Sequence, residues 1–300
     1  MKNSFNKKYM FEILNTNTCS EKYIEVENGV KLHITDTGTG QPVVLIPGLP
    51  MSDEIFKFTY DALVANGYRA IGITLRGFGK SDSAPQYNIN LHARDLHVVL
   101  TTLELENVTL AGYSYGGSIA AYFIARYKPK NVIQLILISA NVPSYIQRDN
   151  YPYGLKEEAF NEVIALSQTN LKEMVDVYGP LFQLEKVFMP LLLGNWITGI
   201  NLQASQEAVT QGLIILRELD LRPLLSQIEI PTTIFHDKND KTVPFELAEQ
   251  TLLGIKNSKL VTFTQGGHWF IFTEIQKFNE ELLKAITIYP GTFKTLPIVD

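Results

Sequence analysis

The sequence has one cysteine, no surplus of basic residues and no long apolar run. Cys19 has no partner for an internal disulfide, and the five histidines are not spaced with it as in a zinc site. Neither a metal nor a cofactor is therefore expected, and a homo-oligomer stays open because Cys19 can still link two chains. With 26 basic and 31 acidic residues the formal charge is −5, so nucleic acid is not an expected partner.

Two targeting signals are also missing. The apolar stretch Tyr9-Met10-Phe11 near the N-terminus is cut by Glu12 and falls short of the about 7–15 apolar residues of a secretory signal. No segment reaches the roughly 18 apolar residues of a membrane span. We therefore expect a cytoplasmic protein without a membrane partner.

What is present is the composition of a globular protein with a large core, since 45% of the 300 residues are hydrophobic and 19% are charged. Residues 23–26 and 31–34 alternate apolar and polar side chains around Asn28-Gly29, which predicts an antiparallel hairpin. Continuously apolar runs follow at residues 43–46, 70–73, 108–111 and 135–138. Strands without a polar face are buried on both sides, as in a parallel sheet covered by helices.

Helical patterns separate these strands, such as the stripe of Leu96, Val99 and Leu100. The predicted class is α/β, with a mostly parallel central sheet, an antiparallel N-terminal hairpin and helices on both faces. Between residues 141 and 227 the alternation gives way to helical segments separated by prolines. We predict a core at residues 21–140 and 228–288, a helical cap at 141–227, an N-terminal extension at 1–20 and a C-terminal tail at 289–300.

The segment Gly112-Tyr113-Ser114-Tyr115-Gly116 lies where a predicted buried strand ends and a helix begins. In a sharp turn of this kind the two glycines leave room for the backbone, and the serine Oγ stands out above the sheet. The helix N-terminus behind it favours developing negative charge. Ser114 is therefore the predicted nucleophile; the alternative is a glycine-rich loop whose serine only caps the helix.

A serine nucleophile needs a base, and the base needs an orienting carboxylate. His268 and Asp240 each follow a predicted strand, at the edge where open α/β sheets place ligands. Asp237 is a second candidate for the acid, whereas Asn141 is an amide and cannot stabilise an imidazolium by charge. The remaining histidines are expected to be structural. They are His33, His92, His97 and His236.

The oxyanion of an acyl-transfer reaction needs preorganised N–H donors. The predicted donors are the backbone amides of Tyr115, just after the nucleophile, and of Leu49, in the loop Pro47-Gly48-Leu49-Pro50. The predicted substrate contacts form an apolar pocket. They are Trp269, Tyr145 and Trp196.

Further motifs accompany this predicted triad. They are Gly38-Thr39-Gly40-Gln41-Pro42, Arg76-Gly77-Phe78-Gly79, Val142-Pro143 with Tyr145, and Val243-Pro244-Phe245. Together with the chain order Ser114, Asp240, His268, they make the sequence resemble the α/β-hydrolase superfamily, and within it the cofactor-free (non-haem) haloperoxidases, perhydrolases and aryl esterases. The resemblance implies cleavage of a small ester, thioester or lactone through an acyl-serine, with perhydrolase or haloperoxidase side activity when hydrogen peroxide attacks the acyl-enzyme.

Four positions depart from the pattern of the family. Pro47 stands where a histidine usually lies, and Thr74 where an aspartate commonly precedes the arginine–glycine motif. Tyr115 replaces a methionine, and Trp269 follows the predicted base. We expect the two aromatic rings to narrow the site and the Tyr115 phenol to lie within hydrogen-bonding reach of a substrate.

The predicted function is a serine esterase that acts on a small apolar acyl substrate. Hydrolytic carbon–carbon cleavage on the same triad is a second enzymatic candidate. A ligand-sensing receptor with the same fold is a third, because a fold alone does not determine function.

Overall fold

The structure, a computed structural model, describes residues 20–181 and 190–287. Cys19, nearly all of the predicted N-terminal extension and the predicted C-terminal tail lie outside these residues. The described strands are β1 (Ser20–Glu27), β2 (Val30–Thr37), β3 (Pro42–Ile46), β4 (Arg69–Ile73), β5 (Val108–Tyr113), β6 (Val132–Ile138), β7 (Thr232–Asp237) and β8 (Ser258–Phe263). They form one sheet in the order β1-β2-β4-β3-β5-β6-β7-β8.

The sheet combines an antiparallel edge with a parallel centre. β1 and β2 form the predicted antiparallel hairpin, with Gly29 at a φ of 78° in its turn, and β2 also pairs antiparallel with β4. All other neighbouring strands of the described sheet are parallel. The predicted α/β class is therefore confirmed.

Helices cover both faces of this sheet. They are α1 (Lys57–Ala65), α2 (Ile89–Thr102), α3 (Tyr115–Tyr127), α4 (Glu157–Thr169), α5 (Leu171–Leu181), α6 (Leu191–Asn201), α7 (Gln206–Glu218), α8 (Phe245–Gly254), α9 (Phe270–Thr273) and α10 (Ile275–Thr287). Val44 and Ile46 of β3 pack in a core shared with α2 and α3, whereas the alternate residues Val43 and Leu45 pack in a second core with α1 and α10. Burial on both faces explains why the strand has no polar side.

Residues 141–227, which we call the insert, leave the sheet between β6 and β7 and contain α4 to α7. The insert closes at its base, where Ser144 and Asp220 pair antiparallel. Ser167 on α4 and Thr210 on α7 are joined by a hydrogen bond of 2.9 Å between their hydroxyl oxygens. None of the described helices has the length and apolar character needed to cross a membrane.

Candidate active site

Ser114 occupies the sharp turn between β5 and α3. Its φ is 52°, in the left-handed region that serine rarely adopts, so the surrounding structure has to hold it there. The Ser114 N–H donates to the carbonyl of Ile138 at 2.8 Å, and the Ser114 carbonyl accepts from the N–H of Gly117 at 3.0 Å. A Cβ at Gly116 would lie 2.3 Å from the carbonyl oxygen of Ile46, so only glycine lets α3 begin this close to β3.

Asp240 and His268 lie on the loops after β7 and β8 and contact each other. Asp240 Oδ2 is 2.9 Å from His268 Nδ1, and both side chains are buried. Asp237 instead accepts hydrogen bonds from the N–H groups of Asn239 and Gly266, at 2.7 and 2.9 Å, and so holds the two loops together. Of the two candidate acids, the structure therefore brings Asp240 to the histidine.

The Asp240 carboxyl stays ionised in spite of its burial. Burial raises its pKa, but the charge and hydrogen bond of His268, with help from His236 and the N–H of Val243, outweigh burial and lower the pKa below its usual value. Its Oδ1 accepts from the N–H groups of Thr242 and Val243, each at 2.8 Å. Because an ionised carboxylate only accepts hydrogen bonds, His268 Nδ1 is the donor in this pair.

Two residues support this pair: Tyr113, for which no role was predicted from the sequence, and His236, which was expected to be structural. The Tyr113 hydroxyl donates to the His268 carbonyl at 2.8 Å, and the two rings lie 5.0 Å apart. His236 Nε2 is 2.8 Å from the Val243 carbonyl and 3.6 Å from Asp240 Oδ2. Burial lowers the pKa of His236 more than the Asp240 charge raises it, so His236 is a neutral structural donor.

Asn141 takes a position that the sequence did not predict. The Ser114 Oγ–H donates to Asn141 Oδ1 at 3.2 Å. The backbone of Asn141 is held against the same turn, because its N–H donates to the Ser114 carbonyl at 3.4 Å and its carbonyl accepts from Ser118 Oγ at 3.1 Å. Asn141 therefore contacts the serine directly, although an amide cannot serve as the acid.

The two predicted oxyanion donors flank Ser114. Tyr115 is the first residue of α3, so its N–H is among those without a partner inside the helix. Leu49 follows Gly48, where a Cβ would lie 2.8 Å from the Ser114 Cβ, and only glycine permits this approach of the loop to the serine.

The expectation that the Tyr115 ring narrows the site is wrong. The ring is fully buried, packs edge-on against His92 at 5.7 Å and does not line the cavity beside Ser114. At the start of α3, its side chain enters the core shared with α2, so the phenol is out of reach of a substrate in that cavity.

A cavity of about 330 Å³ lies at this edge of the sheet, lined by Ser114 and His268 together with Leu49, Tyr145 and Trp269. The insert supplies much of its apolar lining. The residues are Leu155, Phe160, Val163, Leu213 and Leu216. Within residues 20–181 and 190–287, no group of three or more histidine, cysteine, aspartate or glutamate residues is arranged to hold a metal ion.

Trp196 was predicted to contact the substrate, but the structure places it outside the cavity lining. It packs edge-on against Phe58 at 6.1 Å and Phe272 at 6.0 Å. The orientation of α6 turns this ring towards the core shared by α1 and α10, so we do not retain it as a substrate contact.

Comparisons with known proteins agree with the fold. A family model described as the alpha/beta hydrolase fold matches residues 41–275. An AB hydrolase superfamily protein of Bacillus subtilis, YisY, is 36% identical over 86% of this chain and 96% of that protein. Among solved structures, an esterase from Exiguobacterium antarcticum has a TM-score of 0.86 at 35% identity, over 89% of this chain and 99% of the other. A bromoperoxidase from Bacillus anthracis has a TM-score of 0.85 at 30% identity, with the same coverage.

Proposed function

The chain belongs to the α/β-hydrolase family, in the branch that includes esterases and non-haem haloperoxidases, and we propose that it is a serine hydrolase that cleaves small esters through an acyl-serine. The observation that carries the proposal is the Asp240–His268 hydrogen bond beside a cavity lined by both His268 and Ser114. A buried carboxylate that orients a histidine next to a serine is the constellation that activates a hydroxyl.

In the first half-reaction, His268 Nε2 takes the Ser114 proton as Oγ attacks the ester carbonyl. The negative charge on the carbonyl oxygen is stabilised by the N–H groups of Leu49 and Tyr115. The tetrahedral intermediate collapses, the alcohol leaves with the proton from His268, and an acyl-serine remains. A thioester or a lactone reacts by the same steps.

In the second half-reaction, His268 takes a proton from water, the hydroxyl attacks the acyl-serine, and the acid is released as Ser114 recovers its proton. Hydrogen peroxide is a second acyl acceptor in this proposal, because its attack on the same acyl-serine releases a peracid instead of the acid. The likeness to the bromoperoxidase supports this side activity. The apolar lining favours a small apolar acyl group.

The proposal is tested with Ser114→Ala and p-nitrophenyl acetate. We expect kcat to fall by about 10⁶-fold, the loss typical of removing a serine nucleophile. The matched control is Ser83→Ala, because Ser83 is exposed and does not line the cavity. Labelling by a fluorophosphonate, located by mass spectrometry, is expected on Ser114. Undiminished turnover in Ser114→Ala would overturn the proposal.

The same enzyme preparation separates the other candidate functions. A carbon–carbon hydrolase would turn over a vinylogous diketone faster than any simple ester. A ligand-sensing receptor would resist labelling at Ser114 while folded.

A further inference from the structure

The charge around the cavity is opposite in sign to the net charge of the whole chain. The chain has a formal charge of −5, yet the described residues that line the cavity include two lysines, Lys156 and Lys241, and no aspartate, glutamate or arginine. Both lysines are exposed, so they lie at the rim where the cavity meets solvent. Neither ammonium group is paired with a carboxylate of residues 20–181 or 190–287.

Tyr145 holds the two lysine-bearing segments next to each other. Its carbonyl accepts from the N–H of Leu155, the residue before Lys156, at 2.9 Å. Its hydroxyl donates to the carbonyl of Thr242, the residue after Lys241, also at 2.9 Å. Because Tyr145 is buried, these two bonds tie the backbone next to Lys156 and the backbone next to Lys241 to the same residue, and both lysines line the same cavity.

Lys156 also stands at the N-terminus of α4, a helix of 13 residues, where the backbone dipole adds positive potential. Glu157 and Glu158 follow it in the first turn, but neither lines the cavity. Both lysines therefore add positive charge at the rim of a cavity with an apolar wall, where screening by water is weaker than on an open surface.

The cavity volume of about 330 Å³ is at the lower end of the range for small-molecule sites, so the space between Ser114 and this rim suits a small substrate.

We propose that the substrate is an ester that carries a carboxylate at a distance from the scissile bond, and that Lys156 and Lys241 bind this carboxylate at the rim of the cavity. The inference rests on the proposed ester hydrolysis at Ser114 and names its substrate class. The chain between the ester and the carboxylate occupies the apolar part of the cavity.

The test compares each monomethyl ester of succinate, glutarate and adipate with the methyl ester of the monocarboxylic acid that has the same number of carbons. The measured quantity is the ratio of kcat/KM for the charged ester to kcat/KM for the neutral one. We expect a ratio of about ten at the best chain length, because two exposed lysines each contribute roughly threefold.

Substitution of the two lysines tests whether they bind the carboxylate of the substrate. Lys156→Met and Lys241→Met are each expected to lower the ratio roughly threefold, and the double variant to bring it near one. The arginine substitutions keep the charge and should retain most of the ratio. Lys238→Met is the matched control, since Lys238 is exposed on the same loop as Lys241 but does not line the cavity.

A second set of esters identifies which side of the ester bears the carboxylate. Acetyl esters of short hydroxy acids carry it on the alcohol side, and propyl and butyl acetate are their neutral partners. A high ratio in either set supports the proposal, and the set that shows it assigns the side. High ionic strength should lower that ratio.

A ratio of one or less in both sets, with neutral esters still hydrolysed, overturns this inference alone. If the double variant Lys156→Met/Lys241→Met keeps the ratio of the unmodified protein, the inference is also overturned. If no ester of either set is hydrolysed and a fluorophosphonate fails to label Ser114, the proposed function itself is wrong.

Discussion

Among the residues that the structure describes, two buried aspartate–histidine pairs are within hydrogen-bonding distance, one on the loops after β7 and β8 and one between β2 and the segment after β3. Asp240 Oδ2 lies 2.9 Å from His268 Nδ1, and Asp53 Oδ1 lies 3.2 Å from His33 Nδ1. All four side chains are buried, and the pKa of each carboxyl is lowered from its ordinary value of 3.8 although burial raises it. In chemical terms the two pairs are nearly alike.

Their surroundings differ. His268 shares the cavity lining with Ser114, whereas neither Asp53 nor His33 lines that cavity. Protein groups also bind the Asp53 carboxylate, because the Tyr60 hydroxyl donates to its Oδ2 at 2.9 Å and the Thr74 hydroxyl donates to its Oδ1. We therefore expect an aspartate–histidine pair to take part in catalysis only where the imidazole lies beside both a nucleophile and a cavity that a substrate can enter.

The second pair also explains a departure from the family pattern. Thr74 stands where an aspartate is common, and here it accepts from the Asp53 N–H at 3.1 Å while its hydroxyl binds the Asp53 carboxylate. An aspartate at position 74 would place two carboxylates in contact. The buried carboxylate at this place in the present chain is Asp53, just beyond the loop that carries Leu49.

Removing the charge of each aspartate in turn tests whether the two pairs have different roles. Asp240→Asn is expected to lower kcat for p-nitrophenyl acetate by about 10⁴-fold, because the amide favours the wrong tautomer of His268 and cannot stabilise its charged form. Asp53→Asn is expected to change kcat less than about tenfold, since neither Asp53 nor His33 lines the cavity and asparagine can keep part of the hydrogen bonding.

Circular dichroism and gel filtration serve to check that both asparagine variants fold. Equal losses of kcat in two folded variants would contradict the assignment of distinct roles to the two pairs.

Part of this distinction was accessible from the sequence. Ser114, Asp240 and His268 each follow a strand in the parallel part of the sheet, and parallel strands bring their carboxyl ends to one edge, so local patterns could predict that the three residues lie near each other. The hairpin was equally accessible, because alternating residues flank Asn28-Gly29.

The remaining features depend on contacts between distant segments. Whether the Tyr115 ring points into the cavity or into the core is decided by His92, on a different helix. Trp196 is drawn to Phe58 and Phe272, which lie far from it along the chain. No helical or strand period encodes such pairings, so residue type alone placed both rings in the wrong surroundings.

The buried Asp53 carboxylate is also expected to contribute to the stability of the fold. Asp53→Ala is expected to lower the free energy of unfolding by about 3–5 kcal/mol, because it removes a buried carboxylate that the His33, Thr74 and Tyr60 side chains all contact. Urea denaturation followed by circular dichroism measures this loss. Asp176→Ala is the control, since Asp176 forms an exposed ion pair with Lys172 on α5 that contributes little or nothing. A loss for Asp53→Ala no larger than that of the control would remove the structural role given to this pair.

The smallest expected effect is a change in the dependence of stability on pH. The folded-state pKa of Asp53 lies below the ordinary value of 3.8 because hydrogen bonds from His33, Thr35 and Thr74 outweigh the effect of burial. The stability that this carboxylate contributes is therefore fully present above pH 3.8 and is lost as the pH falls through the lower, folded-state pKa. One such group contributes at most about 1.4 kcal/mol per pH unit to the slope.

Asp53→Asn removes one titrating group from this acid range, so its free energy of unfolding should fall less steeply than that of the unmodified protein below pH 3.8. Between neutral pH and about pH 5 the two curves should run parallel, because the Asp53 carboxylate of the unmodified protein is then ionised in both the folded and the unfolded chain. Urea midpoints across the acid range measure the slopes. Asp240→Asn should flatten the same range, since the pKa of Asp240 is lowered in the same direction. Divergence of the curves near neutral pH would mean that the Asp53 pair titrates there, and the two pairs would then differ in charge state as well as in access to the cavity.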